Sequence, residues 1–145
     1  MEKLEFLAIG DVTTDTFIRL KDASVHCDVN GEACTITLAW GAKIPYEFAV
    51  DTPAVGNAPN AAVSAARLGL STSLLSVTGT DMWGDMNVKA FEGNNVDTSL
   101  IIRMPEIPSN HDYVLWYEQE RTIFRKYGTF PYRIPSDLKR PPFVY

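Results

Sequence analysis

The sequence predicts an α/β fold: a mostly parallel sheet with flanking helices, joined to a small second β-sheet. Three observations predict it. Apolar runs of strand length alternate with helical stretches, and that rhythm calls for parallel pairing through right-handed crossovers. The run at residues 4–9, LEFLAI, is apolar on both faces, as central parallel strands are. The stretch at 16–51 breaks the rhythm with β-branched and aromatic residues between turn signals, which marks an antiparallel insert.

The first strand ends at Gly10-Asp11. A polar cluster follows, Asp11, Thr13, Thr14, Asp15 and Thr16. It lies past the carboxyl end of that strand, where open α/β sheets bind ligands. Further strands are expected at 17–20, 33–40 and 44–50, with turns at Asn30-Gly31 and Gly41-Ala42.

Residues 55–69, VGNAPNAAVSAARLG, run from a turn into a helix of small residues. Gly56 permits a close backbone approach. Asn57 offers an amide with donors and acceptor. Pro59 is expected at the first helical position, where its fixed φ fits. Asn60 then falls on the positive end of the helix, and Gly69 closes it at C′. Such a turn could hold a hydroxyl-rich ligand; the plain alternative is a capped helix packed on a sheet.

A second core strand is expected at 71–78, leading into Gly79-Thr80-Asp81-Met82-Trp83-Gly84-Asp85. Asp85 is placed as the cap of a helix reaching about Asn94. A strand follows at 96–103, then a loop with Pro105 and Pro108, then a hairpin of 113–118 with 121–127. Residues 128–142 carry four prolines and read as irregular, and a strand begins at Phe143.

The 145 residues suffice for one domain with its own core. Hydrophobic content of 46% and charged content of 21% are those of a soluble globular protein. A net charge of −5 without like-charge runs argues against nucleic acid or an anionic membrane as partner. No leader or bilayer-length apolar run opens the chain, so the expected address is the cytoplasm. Cys27 and Cys34 make no disulfide framework and read as reduced thiols. With His26 they match no common zinc spacing, so no metal site is expected. His111 reads as an isolated, exposed loop residue, and Trp83 as core packing near its turn. A P-loop and a G-x-G-x-x-G fingerprint are both absent from the sequence. Asp15 is either a solvated loop carboxylate or an acceptor for a pair of hydroxyls. Arg125 and Lys126 form a small basic spot that, facing a pocket, would favour an acidic group on the ligand.

Four ordered stretches together resemble the ribokinase-like, or PfkB, family of carbohydrate kinases. They are AIGDVTTD at 8–15, GNAPNAAVSAARLG at 56–69, GTDMWGD at 79–85 and NVDTSLI at 95–101. The resemblance implies a partial Rossmann-like ribokinase fold with a small β-sheet lid, its strands at about 16–51 and 112–127, that often mediates dimerisation. It implies transfer of the ATP γ-phosphate, with Mg²⁺, to a hydroxyl of a sugar, sugar acid or nucleoside. It places Asp15, Gly56, Asn57 and Asn60 at the sugar, and the basic spot adds Arg125. Val55 stands where the family has a first glycine, and a valine resists positive φ, so an altered turn is expected there.

The family's second signature, D-T-x-G-A-G-D, does not occur in the sequence. The chain is therefore expected to be the N-terminal portion of a longer kinase, inactive alone and binding neither ATP nor Mg²⁺ tightly, with no catalytic residue of its own. Homodimers or higher oligomers are expected. The alternative class is a non-catalytic sugar-binding or dimerisation module; a cofactor-dependent α/β enzyme is less supported, for want of a phosphate loop.

Overall fold

The computed structural model describes residues 3–145; Met1 and Glu2, where the leader question and the first domain boundary fall, lie outside them. Two sheets and two helices carry the fold, with a separate hairpin. The first sheet is wholly parallel. Its centre is β6 (Thr72–Gly79), flanked on one side by β1 (Phe6–Ile9) and then β11 (Phe143–Val144). On the other side β6 pairs successively with β7 (Val96–Asp97) and β8 (Ile101–Met104). The single strand expected at 96–103 is thus two, because Asp97 turns the chain: its carboxylate accepts from Ser99 N–H and Oγ–H at 3.0 and 2.8 Å.

Every residue of β6 is buried, polar ones included. Three of their hydroxyls are bonded, Thr72 to Leu70 O, Ser73 to Asp97 O and Thr78 to Ser109 Oγ, while the Ser76 hydroxyl is buried without a partner among the described residues. Helix α1 (Asn57–Arg67) lays Ala58, Ala62 and Ala65 on this sheet, small residues that let backbone approach backbone. Helix α2 (Met82–Glu92) adds Phe91, and the core joins Ala8, Val12, Leu74, Phe91, Val96 and Ile101.

The second sheet runs β10 (Glu120–Lys126), β9 (Asn110–Tyr117), β2 (Thr13–Leu20), β5 (Tyr46–Val55). Its outer pairs are antiparallel, but β2 and β9 run parallel from Thr13↔Asn110 to Arg19↔Trp116. It is therefore not the self-contained antiparallel insert expected at 16–51. Thr13 to Thr16, expected in a loop, already belong to β2, since their β-branched and short polar side chains fit a half-buried strand. The hairpin β3 (Ser24–Cys27) and β4 (Cys34–Thr37) stands apart from both sheets. Its register sets Cys27 opposite Cys34 with Cα atoms 4.0 Å apart, and the two are joined by a disulfide rather than left as thiols.

Helix boundaries differ from expectation by local chemistry. α1 starts at Asn57, so Pro59 is its third residue, tolerated because a first-turn N–H has no helical partner. Its end follows the sequence: Gly69 at φ 93 donates to Ala66 O while Leu70 donates to Ala65 O. α2 is capped by Asp81, not Asp85; Asp81 Oδ1 accepts from Gly84 N–H at 3.0 Å.

Candidate functional site

At the carboxyl end of β1 the chain leaves an open cleft of about 460 Å³. Ile9, Gly10, Asp11 and Thr13 form its floor, Val55, Gly56, Asn57 and Ala58 one wall, and Arg125, Tyr127 and Tyr145 the other. A smaller hollow near Lys3, Glu5 and Ser71, at the amino ends of β1 and β6, brings together no comparable set of groups.

The wall at Gly56 is forced by geometry. Its φ is 134, and a Cβ there would stand 2.9 Å from Asp11 O. Gly56 thus lets the turn into α1 sit against the strand end, while Asn57 opens the helix's unpaired N–H groups to the cleft. The strain expected at Val55 falls one residue earlier, on Ala54 at φ 61. Asn87, fully buried on α2, holds it there: its Oδ1 accepts from Ala54 N–H at 2.7 Å and from Thr14 Oγ–H at 2.9 Å. Asn87 thereby ties β5, β2 and α2 together. Nothing in the sequence marked it, because its partners lie far along the chain.

Register decides which side chains share a face with the cleft residues Thr13 and Arg125; Asp15 and Asp112 do so without lining the cleft themselves. Asp15 pairs with Asp112 across β2–β9, and Asp112 with Arg125 across β9–β10. Directly opposed residues share a sheet face, so these three stand on the face of Thr13. Arg125 Nε lies 3.8 Å from Asp112 Oδ2. The Arg125 guanidinium also donates to the Tyr127 hydroxyl and rests 4.3 Å from its ring centre. Tyr132 donates to Asp11 at the cleft mouth, and burial followed by that carboxylate pushes its phenol pKa up. Burial, then the charge of Asp112, raises Asp15 above the ordinary value 3.8. Asn60 is exposed on the first turn of α1 and does not line the cleft.

His111 is buried, not an exposed loop residue. It lies in β9 on the opposite face, stacked 4.1 Å from Trp83, and its Nε2 is 2.8 Å from Thr16 Oγ. Its side chain fell inside because the strand starts at Asn110, three residues earlier than expected. Asn110 is a second residue the sequence did not mark. Its amide donates to Val12 O and accepts from Gly128 N–H, clasping the cleft floor to the chain after β10. The turn at 79–85 is a joint: Asp81 accepts from Ser109 N–H at 2.9 Å and Ser109 Oγ–H at 2.5 Å. Gly84 packs so close that a Cβ would meet Gly79 O at 2.1 Å. Among the described residues no three His, Cys, Asp or Glu side chains gather as a metal site.

The profile of the pfkB family of carbohydrate kinases matches residues 42–129, more than half of the chain. The chain belongs to that family. Its pfkB fold is shared with solved structures at low identity. An Arabidopsis thaliana ribokinase complexed with ribose and ATP superposes with a TM-score of 0.71 at 16% identity, over 88% of this chain and 37% of that one. A Cryptococcus neoformans ribokinase in complex with ADP gives 0.70 at 19%, over 98% and 40%. A putative ribokinase from Agrobacterium tumefaciens gives 0.66 at 21%, over 88% and 37%. The pfkB chain thus spans about two fifths of the length of these structures. No curated protein matches it.

Proposed function

We propose that this chain is the sugar-binding wall and lid of a carbohydrate kinase that transfers the γ-phosphate of ATP to a hydroxyl of a sugar or sugar acid. One observation carries this reading: the second sheet's register sets Asp15 and Arg125 on the face of Thr13, beside a cleft whose other wall is Gly56-Asn57 at the start of α1. Asp15 accepts hydrogen bonds from sugar hydroxyls. Gly56 keeps the wall free of a side chain, and Asn57 supplies amide donor and acceptor. Asn60, exposed one turn further, reaches the sugar when the second sheet closes. The consecutive turn residues Ala54 at φ 61 and Gly56 at φ 134 are where such closure would bend the chain. Closure expels water and aligns the acceptor hydroxyl. Phosphoryl transfer rests on positioning and charge stabilisation. The groups for the latter, Mg²⁺ and the base included, belong to the rest of the kinase, and the isolated chain is inactive.

The test is ATP turnover by the full-length protein against sugars, sugar acids and nucleosides. Turnover with at least one of them is expected, with a loss of about 100-fold in kcat/KM for Asp15→Ala, the scale of a misplaced substrate. No turnover with any acceptor overturns the reading.

A second reading, a module for assembly between copies, has its own support. The second sheet exposes Phe48, Val50, Tyr113, Trp116, Ile123 and Phe124, more apolar side chains than a solitary sheet normally leaves in water. It predicts a concentration-dependent dimer in sedimentation; a clean monomer at high concentration rules it out.

A further inference from the structure

Two carboxylates on the sheet face of Thr13 and Arg125, which line the cleft, raise a question of substrate chemistry. Asp112 is buried, its side chain only 7% exposed, yet its Oδ1 has no hydrogen-bond partner among the described residues. Asp15 Oδ1, on the neighbouring strand at the same register level, is likewise buried and unpartnered. Two acceptors side by side without donors are not a stable resting arrangement for a folded interior. Among the described residues the one cation in ion-pair distance is Arg125, through the other oxygen of Asp112 at 3.8 Å, and that guanidinium also bonds Tyr127; His111 and Arg121 act on Asp15 only through their charge.

We propose that Asp112 and Asp15 together form a two-carboxylate pole of the sugar site, which selects an acceptor presenting hydroxyl or amino donors and rejects sugar acids. The proposal rests on the sugar-site reading above and names the substrate class within it. Each ionised carboxyl oxygen is an acceptor only, so a ligand must bring the hydrogens. A polyol brings them on adjacent hydroxyls, and an amino sugar brings them with a compensating charge. A sugar carboxylate brings neither and would add a further negative charge beside Asp11, Asp15 and Asp112. Arg125 does not offset this, because Asp112 already neutralises it. The basic spot that pointed to a sugar acid in the sequence is thus reversed by its strand neighbour. The raised pKa of Asp15, from burial and then from Asp112, agrees with a pole that is short of donors until a ligand arrives.

The test is calorimetric binding to the full-length protein of matched pairs: ribose and ribonate, glucose and gluconate, galactose and galactonate, with glucosamine as the amino arm. In every pair that binds, the neutral sugar is expected to bind at least tenfold tighter than its acid. Asp112→Asn, which keeps the shape and frees Arg125, is expected to weaken the neutral sugar about tenfold and to tighten the acid at least threefold. An acid that binds as well as or better than its neutral partner in the unaltered protein overturns the proposal. That result needs no variant, so it stands even where Asp112→Asn fails to fold. If Asp15→Ala abolishes this acid binding, the sugar site itself survives. If no member of any pair binds, the sugar-site reading falls and this proposal falls with it.

Discussion

Strands β6 and β10 are almost equal in length and opposite in setting. All eight residues of β6 are buried, and all seven of β10 are exposed. The first is held by what its side chains touch, the second by backbone bonds to β9 along an unbroken register from Glu120↔Tyr117 to Lys126↔His111. The contrast extends to charge. Asp81, at the edge of the parallel layer, has its carboxylate saturated with donors, whereas Asp15 and Asp112 in the second sheet each keep a bare oxygen. The parallel layer and its helix leave only neutral groups without partners, the Ser76 hydroxyl and Asn87 Nδ2 among the described residues; the second sheet leaves carboxylate oxygens, the acceptors that the proposed sugar site would use.

Four measurements break or sharpen that comparison. Leu74→Ala in β6 removes a fully buried side chain and should cost about 3 kcal/mol in denaturant unfolding, the range for core truncations. Asp81→Ala removes the α2 cap and two bonds to Ser109, and should cost about 2 kcal/mol at neutral pH. Burial works to raise the Asp81 pKa, but bonds from Ser109 and Gly84 and the Arg103 charge outweigh it, and the value lies below the ordinary 3.8. The charged form therefore stabilises the fold above pH 3.8, and that share is lost as pH falls through the depressed folded pKa. Asp15→Asn should act in the opposite sense. Its folded pKa is raised, so ionisation disfavours the fold; the penalty grows as pH rises from 3.8 through the folded value and is complete above it. The variant should melt higher than the parent near pH 7 and alike below pH 3.8. Ile123→Ala on β10 should change stability by less than about 0.5 kcal/mol, as exposed substitutions do. A loss near that of Leu74→Ala would mean that β10 is covered in solution.

The parallel layer was legible in the sequence because burial leaves a pattern. LEFLAI read as a strand buried on both faces and STSLLSVT as a second core strand, and Gly69 closed α1 as expected. The cleft was legible in part: Gly56, Asn57 and Arg125 line it, while Asp15 shares the face of Thr13 without lining it. What could not be read was long-range. Asn87 and Asn110 are ordinary polar letters until the fold brings Ala54, Thr14 and Val12 to them. Asp112 was passed over, since only its register next to Asp15 and Arg125 gives it meaning. Short polar residues misled in two places. The threonines of β2 looked like a loop, and Asp85 looked like a cap that Asp81 already supplies.

The parallel β2–β9 pairing also sets an order of events during synthesis. It joins Thr13 to Asn110, about a hundred positions apart, with α1, β6 and α2 between them. Such distant contacts form slowly, because the chain between them must be closed first. β2 leaves the ribosome long before β9 exists, and its earlier strand partner among the described residues is β5. A nascent chain therefore carries a two-stranded ribbon with both edges open through most of its elongation, a surface on which chaperones, or a second nascent copy, can act before β9 covers the β2 edge.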